Sequence, residues 1–231
     1  MMDKASADAS DAAGHRDRQR ARLLENGGAS FADYELIEHL LMLGIPRVDT
    51  KPIAKALLRE FGTIGRVLSA APAELVRVKG LGDRGAAALK IAHATALALL
   101  AEPVREQPIL ASWQALLDYL RADMAWLAIE RVRVLHLNGK NMLLRDEIVS
   151  EGSIDTASVH VREIIKRALE IGSAGIVLVH NHPSGDPQPS RADIQLTRDI
   201  IEAGKRLNIA VHDHVIIGSA GHTSLRAAGL M

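Results

Sequence analysis

The stretch that decides how this chain is read is Val179-His180-Asn181-His182-Pro183-Ser184-Gly185-Asp186-Pro187-Gln188-Pro189-Ser190-Arg191-Ala192-Asp193. It follows Gly175-Ile176-Val177-Leu178-Val179, a short apolar run of the kind that forms a strand buried on both faces. His180 and His182 stand two apart at the end of that strand, so their side chains share one face. Pro183 stops the strand, and a loop stiffened by prolines and carrying Gly185 turns the chain. Ser190 then opens a helix with Asp193 in its first turn. Two imidazoles from a rigid strand end and a carboxylate from a facing helix make an N/N/O ligand set that leaves a fourth tetrahedral position for water, the arrangement of catalytic zinc. The same residues also fit a plainer reading. Ser190-x-x-Asp193 is a helix cap with an acid in the first turn, and His180 suits a hydrogen-bonded core position. Capping alone does not explain two imidazoles aimed at the same helix start.

Outward from this segment, the C-terminal half alternates strand and helix patterns. A helix around Trp113 to Leu127 precedes period-two alternation at Val132, Val134, Leu135 and Leu137. A turn at Asn138-Gly139 and a second strand from Met142 to Val149 complete a β-hairpin. Val161 to Ile171 is an amphipathic helix, Ile194 to Leu207 returns to helix, and Ile209 to Ile217 to strand. This half is therefore an α/β domain, placed at residues 111–231, with a central sheet. From Leu23 to Leu100 apolar residues recur at the helical period, broken by glycines and prolines as in a bundle of short helices. The polar, two-proline stretch Glu102 to Pro108 marks a linker, set at 103–110, after a helical domain at 23–102. Residues 1–22 read as a flexible tail.

Composition narrows the chemistry. The 231 residues hold 28 basic and 28 acidic side chains, ten histidines and no cysteine. Without cysteine there are no disulfides, thiol nucleophiles, iron–sulfur clusters or thiolate zinc sites, so any transition metal must be held by imidazole and carboxylate. The N-terminal segment lacks an apolar run, and no stretch approaches the roughly 18 uninterrupted apolar residues of a membrane helix. A cytoplasmic protein with no membrane partner is the expectation. Charge is uneven despite its zero sum: residues 44–93 carry nine Lys/Arg against four Asp/Glu. At the centre of that basic region lies Val78-Lys79-Gly80-Leu81-Gly82, running into a helix with Lys90. A tight inter-helix turn of this kind resembles a helix-hairpin-helix, whose amides and helix N-terminus hold a phosphate, making residues 78–90 a candidate DNA contact. The glycines serve equally well to close a helix–helix turn, and the same module also makes protein contacts. All six aromatics precede residue 127, so the α/β half lacks stacking platforms for single-stranded nucleic acid.

The His-rich segment resembles the JAMM/MPN+ metallohydrolases and, more narrowly, the RadC (UPF0758) family. The JAMM signature, H-x-H, seven residues, then S-x-x-D, is matched by His180, His182, Ser190 and Asp193, and the RadC form H-N-H-P-S-G-D-P-x-P-S is present without a gap. Arg22-Leu23-Leu24-Glu25-Asn26-Gly27, the Gly80-Leu81-Gly82 hairpin and Asp213-His214-Val215-Ile216-Ile217-Gly218 are also RadC-like. The resemblance spans about residues 17–231. Val161, where many relatives have proline, is a departure that touches no proposed ligand.

The resemblance implies a JAMM/MPN fold, a cytidine-deaminase-like mixed sheet with flanking helices, behind a small all-α domain. It implies Zn²⁺ on His180, His182 and Asp193, with Glu130 as general base and Ser190 donating a hydrogen bond to the oxyanion. Glu147 and Glu151 compete with Glu130, because each lies near the end of the following strand. The implied reaction is hydrolysis of an amide or isopeptide bond in a protein or peptide of unspecified sequence. Two rivals stand beside it: a non-haem Fe(II) oxygenase, which also uses two histidines and a carboxylate, and a DNA-associated repair or recombination factor whose metal is structural. His212 and His214 form a second i, i+2 pair without a third ligand at readable spacing, which suits a histidine orienting a ligand.

Overall fold

The helical pattern of the N-terminal half and the alternation of the C-terminal half separate into two compact units, residues 1–96 and 97–231. The computed structural model describes residues 3–46, 48–152 and 160–231, with side chains from residue 14 onward. The first unit contains α1 (Asp3–Asn26), α2 (Asp33–Gly44), α3 (Lys51–Phe61), α4 (Ile64–Ser69), α5 (Pro72–Leu75) and the start of α6 (Gly82–Glu106). Its core gathers Ile37, Leu41, Leu57, Val67, Leu75 and Leu89. The expectation of a flexible tail over residues 1–22 is corrected, because α1 begins at Asp3. Its docking is polar, so it carries no apolar stripe to mark it as packed. His15 Nε2 lies 2.9 Å from Glu38 Oε1, and Arg16 donates to the carbonyls of Ile45 and Val48 at 2.9 and 2.7 Å. Arg22 forks onto both carboxylate oxygens of Glu35 at 2.9 and 3.0 Å and covers the Phe31 ring. The turn before α6 takes positive φ at Gly80 and Gly82 (90° and 58°), which a side chain would strain. Lys90 donates to the carbonyls of Leu68 and Ala70 at the end of α4, at 2.8 and 3.2 Å, so it closes a helix C-terminus.

The linker expected at 103–110 is also revised. Helix α6 continues to Glu106 with Pro103 inside it, because Ala101 and Val104 are buried and hold the turn that proline weakens. By length and composition α6 is long and apolar enough to cross a membrane, although, as expected, it holds no uninterrupted apolar run of 18 residues. Leu89 and Val104, however, are each seated in a protein core.

The second unit is built on a five-stranded mixed sheet in the order β2-β1-β3-β4-β5: β1 (Glu130–Leu137), β2 (Leu143–Gly152), β3 (Gly175–Asn181), β4 (Ala210–Gly218) and β5 (Gly221–Ser224). Strand β1 runs antiparallel to β2 and β3, and β3 runs parallel to β4. A parallel pair needs a crossover, which α9 (Arg191–Lys205) supplies. Every residue of β3 is buried, as its apolar run requires. On one sheet face Leu135, Leu137, Val177, Val179 and Val215 pack with Leu116 and Leu120 of α7 (Trp113–Met124). On the other, Val134, Ile176 and Leu178 pack with Ile164 of α8 (Val161–Ile171) and Ile200 of α9.

The β1–β2 hairpin forms, but not through a two-residue Asn-Gly turn. The Asn138 side chain accepts from the amides of Lys140 and Met142 (2.9 and 3.1 Å), and Asn141 takes the left-handed position at φ 59°. The asparagine carboxamide thus does the work expected of Gly139. On β1, Arg133 is 6% exposed and bonds to Asp123, Asp146 and the Tyr119 hydroxyl. Replacing Arg133 by Met leaves Asp146 with only the Tyr119 hydroxyl and Asp123 with only the longer Arg131 contact of 3.6 Å, and the expected loss is about 3 kcal/mol, read as a lower urea midpoint. A loss below about 1 kcal/mol would class the cluster with ordinary surface pairs.

Candidate metal centre

Strand register brings the expected residues together. Val132 of β1 pairs with His180 of β3. Continuing that antiparallel register by two residues sets Glu130 opposite His182, on the face shared with α8 and α9. Helix α9 starts beside that edge: Ser190 Oγ accepts from Asp193 N at 3.1 Å, and Asp193 Oδ2 accepts from Ser190 N at 2.7 Å. This reciprocal capping box fixes the helix start and turns the carboxylate toward the histidines. One lone pair of the Ser190 hydroxyl is used in the cap. Glu130, His180, His182, Ser190, Asp193 and His214 line one cavity of about 460 Å³. Glu147 lines a different cavity, where it pairs with Arg167 at 2.9 Å, and Glu151 pairs with Arg131 at 3.1 Å.

Among the described residues, His180, His182 and Asp193 are the group whose ligand atoms, all within 4.8 Å of one another, suit a metal ion. The pairwise separations are 2.9 Å between the two Nε2 atoms, 3.3 Å from His180 Nε2 to Asp193 Oδ1, and 3.6 Å from His182 Nε2 to Asp193 Oδ2. Ligands at about 2.0–2.1 Å on a tetrahedral zinc lie about 3.3 Å apart, so the three donors fit the ion. Their hydrogens also fit. His182 Nδ1 lies 2.8 Å from the Asp186 carbonyl, which can only accept, so Nδ1 carries the proton and Nε2 presents a lone pair. The loop that supplies Asp186 is pressed onto β4: a Cβ on Gly218 would strike the Gly185 carbonyl, and His182 N donates to Ile217 O at 2.9 Å.

The electrostatics are those of an electron-rich site. Burial pushes His180 down to about 4, against a smaller opposing pull from Asp193. Burial likewise pushes His214 down to about 3. Bonding to Asp193 raises His182. Burial opposes ionisation of Asp193, but the bond with His182, the His180 ring and the Ser190 cap together hold its carboxyl well below the usual range. Burial raises Glu130, against an opposing pull from His182 and with a smaller addition from the Asp193 charge. Two neighbouring carboxylates are thereby driven apart, one firmly ionised and one more basic.

Residues 110–230 match the family described as the RadC-like JAB domain, and residues 12–87 match the one described as UPF0758 N-terminal. The chain belongs to the RadC family. The RadC-like JAB region contains the whole cluster, and the N-terminal match includes most of α1.

Two roles in this RadC site, those of Asn181 and Thr197, were not assigned from sequence, and the ligand-orienting role expected within the His212/His214 pair falls to His214. Asn181, between the two histidines, points to the opposite sheet face, where its carboxamide accepts from Arg131 N at 2.8 Å and donates to Ile129 O at 3.0 Å. It therefore brackets the backbone of Glu130, and its odd position in the H-N-H motif is the signal that carried this. Thr197 lies one turn beyond Asp193 on α9 and bonds to His214. His214 reaches the cluster face through an irregularity in β4: Ile176 pairs with Val211 but Val177 pairs with Asp213. The skipped residue, His212, shifts the alternation by one and re-aims His214 toward His180, 2.8 Å away. His212 itself packs against Gly175, where a Cβ would meet its ring, and does not line the cavity.

Because His180 and His214 are neutral when folded and bind protons readily when unfolded, acid favours the unfolded chain. The metal-free fold is expected to lose stability as pH falls below 6.5, with a slope of about 1.4 kcal/mol per pH unit from each ring until about pH 4 for His180. Urea unfolding of EDTA-treated wild type and His214→Gln at pH 7 and 5 tests this. The variant should be less pH-sensitive by that one-ring slope, and equal slopes would contradict the assignment.

Proposed function

We propose that this RadC-family protein is a zinc-dependent metallohydrolase of the metallopeptidase or isopeptidase type, cleaving an amide bond in a protein or peptide. The observation that carries this reading is the convergence of His180 Nε2, His182 Nε2 and an Asp193 carboxylate oxygen within 4.8 Å, with Glu130 in the same cavity. His180, His182 and Asp193 would hold the ion. Bound zinc supplies Lewis acidity, lowering the pKa of water from about 15.7 to about 7 and polarising the carbonyl under attack. Glu130 accepts the proton of the attacking water and delivers it to the leaving nitrogen, and its raised proton affinity suits both steps. Ser190 keeps its hydroxyl proton for the oxyanion while its lone pair caps α9. Asn181 holds Glu130 in register with the ligands through backbone bonds on either side of it. A cytoplasmic location accompanies this reading.

The test combines metal analysis with activity. Purified wild type is expected to hold about one zinc per chain and His180→Ala/His182→Ala none, the ligand count following from the three-donor site. Glu130→Gln should keep the zinc and lose roughly 10²–10⁴-fold in amide hydrolysis, measured by mass spectrometry on peptide and isopeptide substrates. Full function in a zinc-loaded Glu130→Gln variant would favour the rival reading, a DNA-associated factor whose metal is structural.

Contact with DNA through residues 78–90 is a separate proposal for the helical unit. Exposed Lys79 and the Gly80–Gly82 turn before α6 support it, whereas Lys90 is engaged on α4. Lys79→Ala is expected to reduce the salt slope of duplex binding by about one ion, measured by fluorescence anisotropy. An unchanged slope contradicts phosphate contact at this turn.

A further inference from the structure

We propose that Thr197 and His214 are positioning residues that fix the tautomer of His180, so that its Nε2 always presents a lone pair to the ligand cluster. The proposal rests on the metallohydrolase reading of His180. It follows from a chain of hydrogen bonds with one possible direction. The Thr197 hydroxyl lies 2.6 Å from the Asp193 carbonyl and 2.6 Å from His214 Nδ1. A carbonyl oxygen only accepts, and a hydroxyl has one proton, so Thr197 donates to Asp193 O. It must then accept at His214, which places the His214 proton on Nδ1. His214 Nε2 is left with a lone pair, 2.8 Å from His180 Nδ1. That nitrogen must carry the His180 proton. His180 Nε2 is thereby bare, and it is the atom that faces His182 Nε2 and Asp193.

The direction is fixed at its far end by a helix backbone. Thr197 is four residues after Asp193, so its hydroxyl bonds back to the carbonyl one turn earlier, a common habit of threonine in helices. The residue whose carboxylate faces the cluster thus also supplies, through its main chain, the acceptor that orders the protons of a second ligand. All three side chains are sealed from solvent: Thr197, His214 and His180 are 0%, 1% and 2% exposed. The chain reverses only by leaving a buried group without its partner. The reversed order, with protons on His214 Nε2 and His180 Nε2, would put a hydrogen where the site needs an electron pair. In known metal sites a ligand's other ring nitrogen commonly donates to a carboxylate or carbonyl. Here a neutral histidine takes that place, and a histidine can face either way, so Thr197 is needed to choose.

The test reads the tautomer and the metal separately. Imidazole ¹⁵N spectra of metal-free wild type should show His180 as the Nδ1–H form and His214 as the Nδ1–H form. Thr197→Val, close in shape but without the hydroxyl, should show His180 mixed or reversed. Its zinc affinity, by competition with a chromophoric chelator, should fall about 10–100-fold. Thr197→Ser should restore both. Wild-type His180 found as the Nε2–H form overturns the proposal without recourse to any variant. Unchanged tautomer and affinity in Thr197→Val overturn the proposal alone, while wild-type zinc binding still supports the reading of the site. Absence of zinc binding in wild type overturns that reading and the proposal with it.

Discussion

Two imidazole nitrogens held 2.9 Å apart and facing an ionised carboxylate form a concentration of electron pairs that no Lys or Arg side chain lining their cavity offsets among the described residues. His182 donates away from the cluster to the Asp186 carbonyl, and His180 donates away from it to His214. The three groups therefore turn their acceptor sides toward one another. A proton on His182 relieves part of this repulsion, consistent with its raised affinity. A divalent cation relieves all of it. The rest of the α/β unit can be understood as the scaffold that forces the three donors to remain together.

That scaffold is stiff because its parts are buried. Strand β3 has no exposed residue, so His180 cannot swing away without opening the sheet. Strand β1 is tied to β3 by its ladder, and Asn181 adds a side-chain clamp on the backbone of Glu130. The capping box at Ser190 sets Asp193, and the loop from Pro183 to Pro189 is held by the bond from Ala220 N, just after β4, to Gly185 O. Different elements thus supply Glu130, the two imidazoles and the Asp193 carboxylate, each anchored by protein contacts alone. A cluster preorganised in this way costs stability in acid, and on the proposed reading it would need little rearrangement to take a metal ion.

Much of this was legible from residue order because each feature rests on a local rule. An apolar run bounded by Gly175 and Pro183 gave the buried strand, and the i, i+2 histidines at its end followed from strand alternation. Val161 to Ile171 is helical as its periodicity required. What was not legible depended on tertiary contacts or broken periodicity. The skipped residue in β4 places His214 beside His180, and alternation alone would have turned it away. Helix α1 is held by arginine and histidine side chains on the acids of α2 and on the carbonyls of Ile45 and Val48 just beyond it, so its polar composition resembled a tail. Pro103 signalled a linker, but burial of Ala101 and Val104 outweighed it. Asn138 formed the hairpin turn through its side chain, which made Gly139 dispensable as the left-handed residue.

The helical unit and the candidate metal site fall in separate family matches, and the whole His180, His182 and Asp193 cluster lies within the RadC-like JAB region. The account stands or falls on whether the three donors close on one ion. X-ray absorption of the zinc-loaded protein measures this most directly. A first shell of two imidazole nitrogens and light oxygen donors at about 2.0–2.1 Å, with no sulfur, is expected, and the imidazole signal should be lost in His180→Ala/His182→Ala. A shell with the same imidazole count in that double variant would place the metal elsewhere and contradict the account.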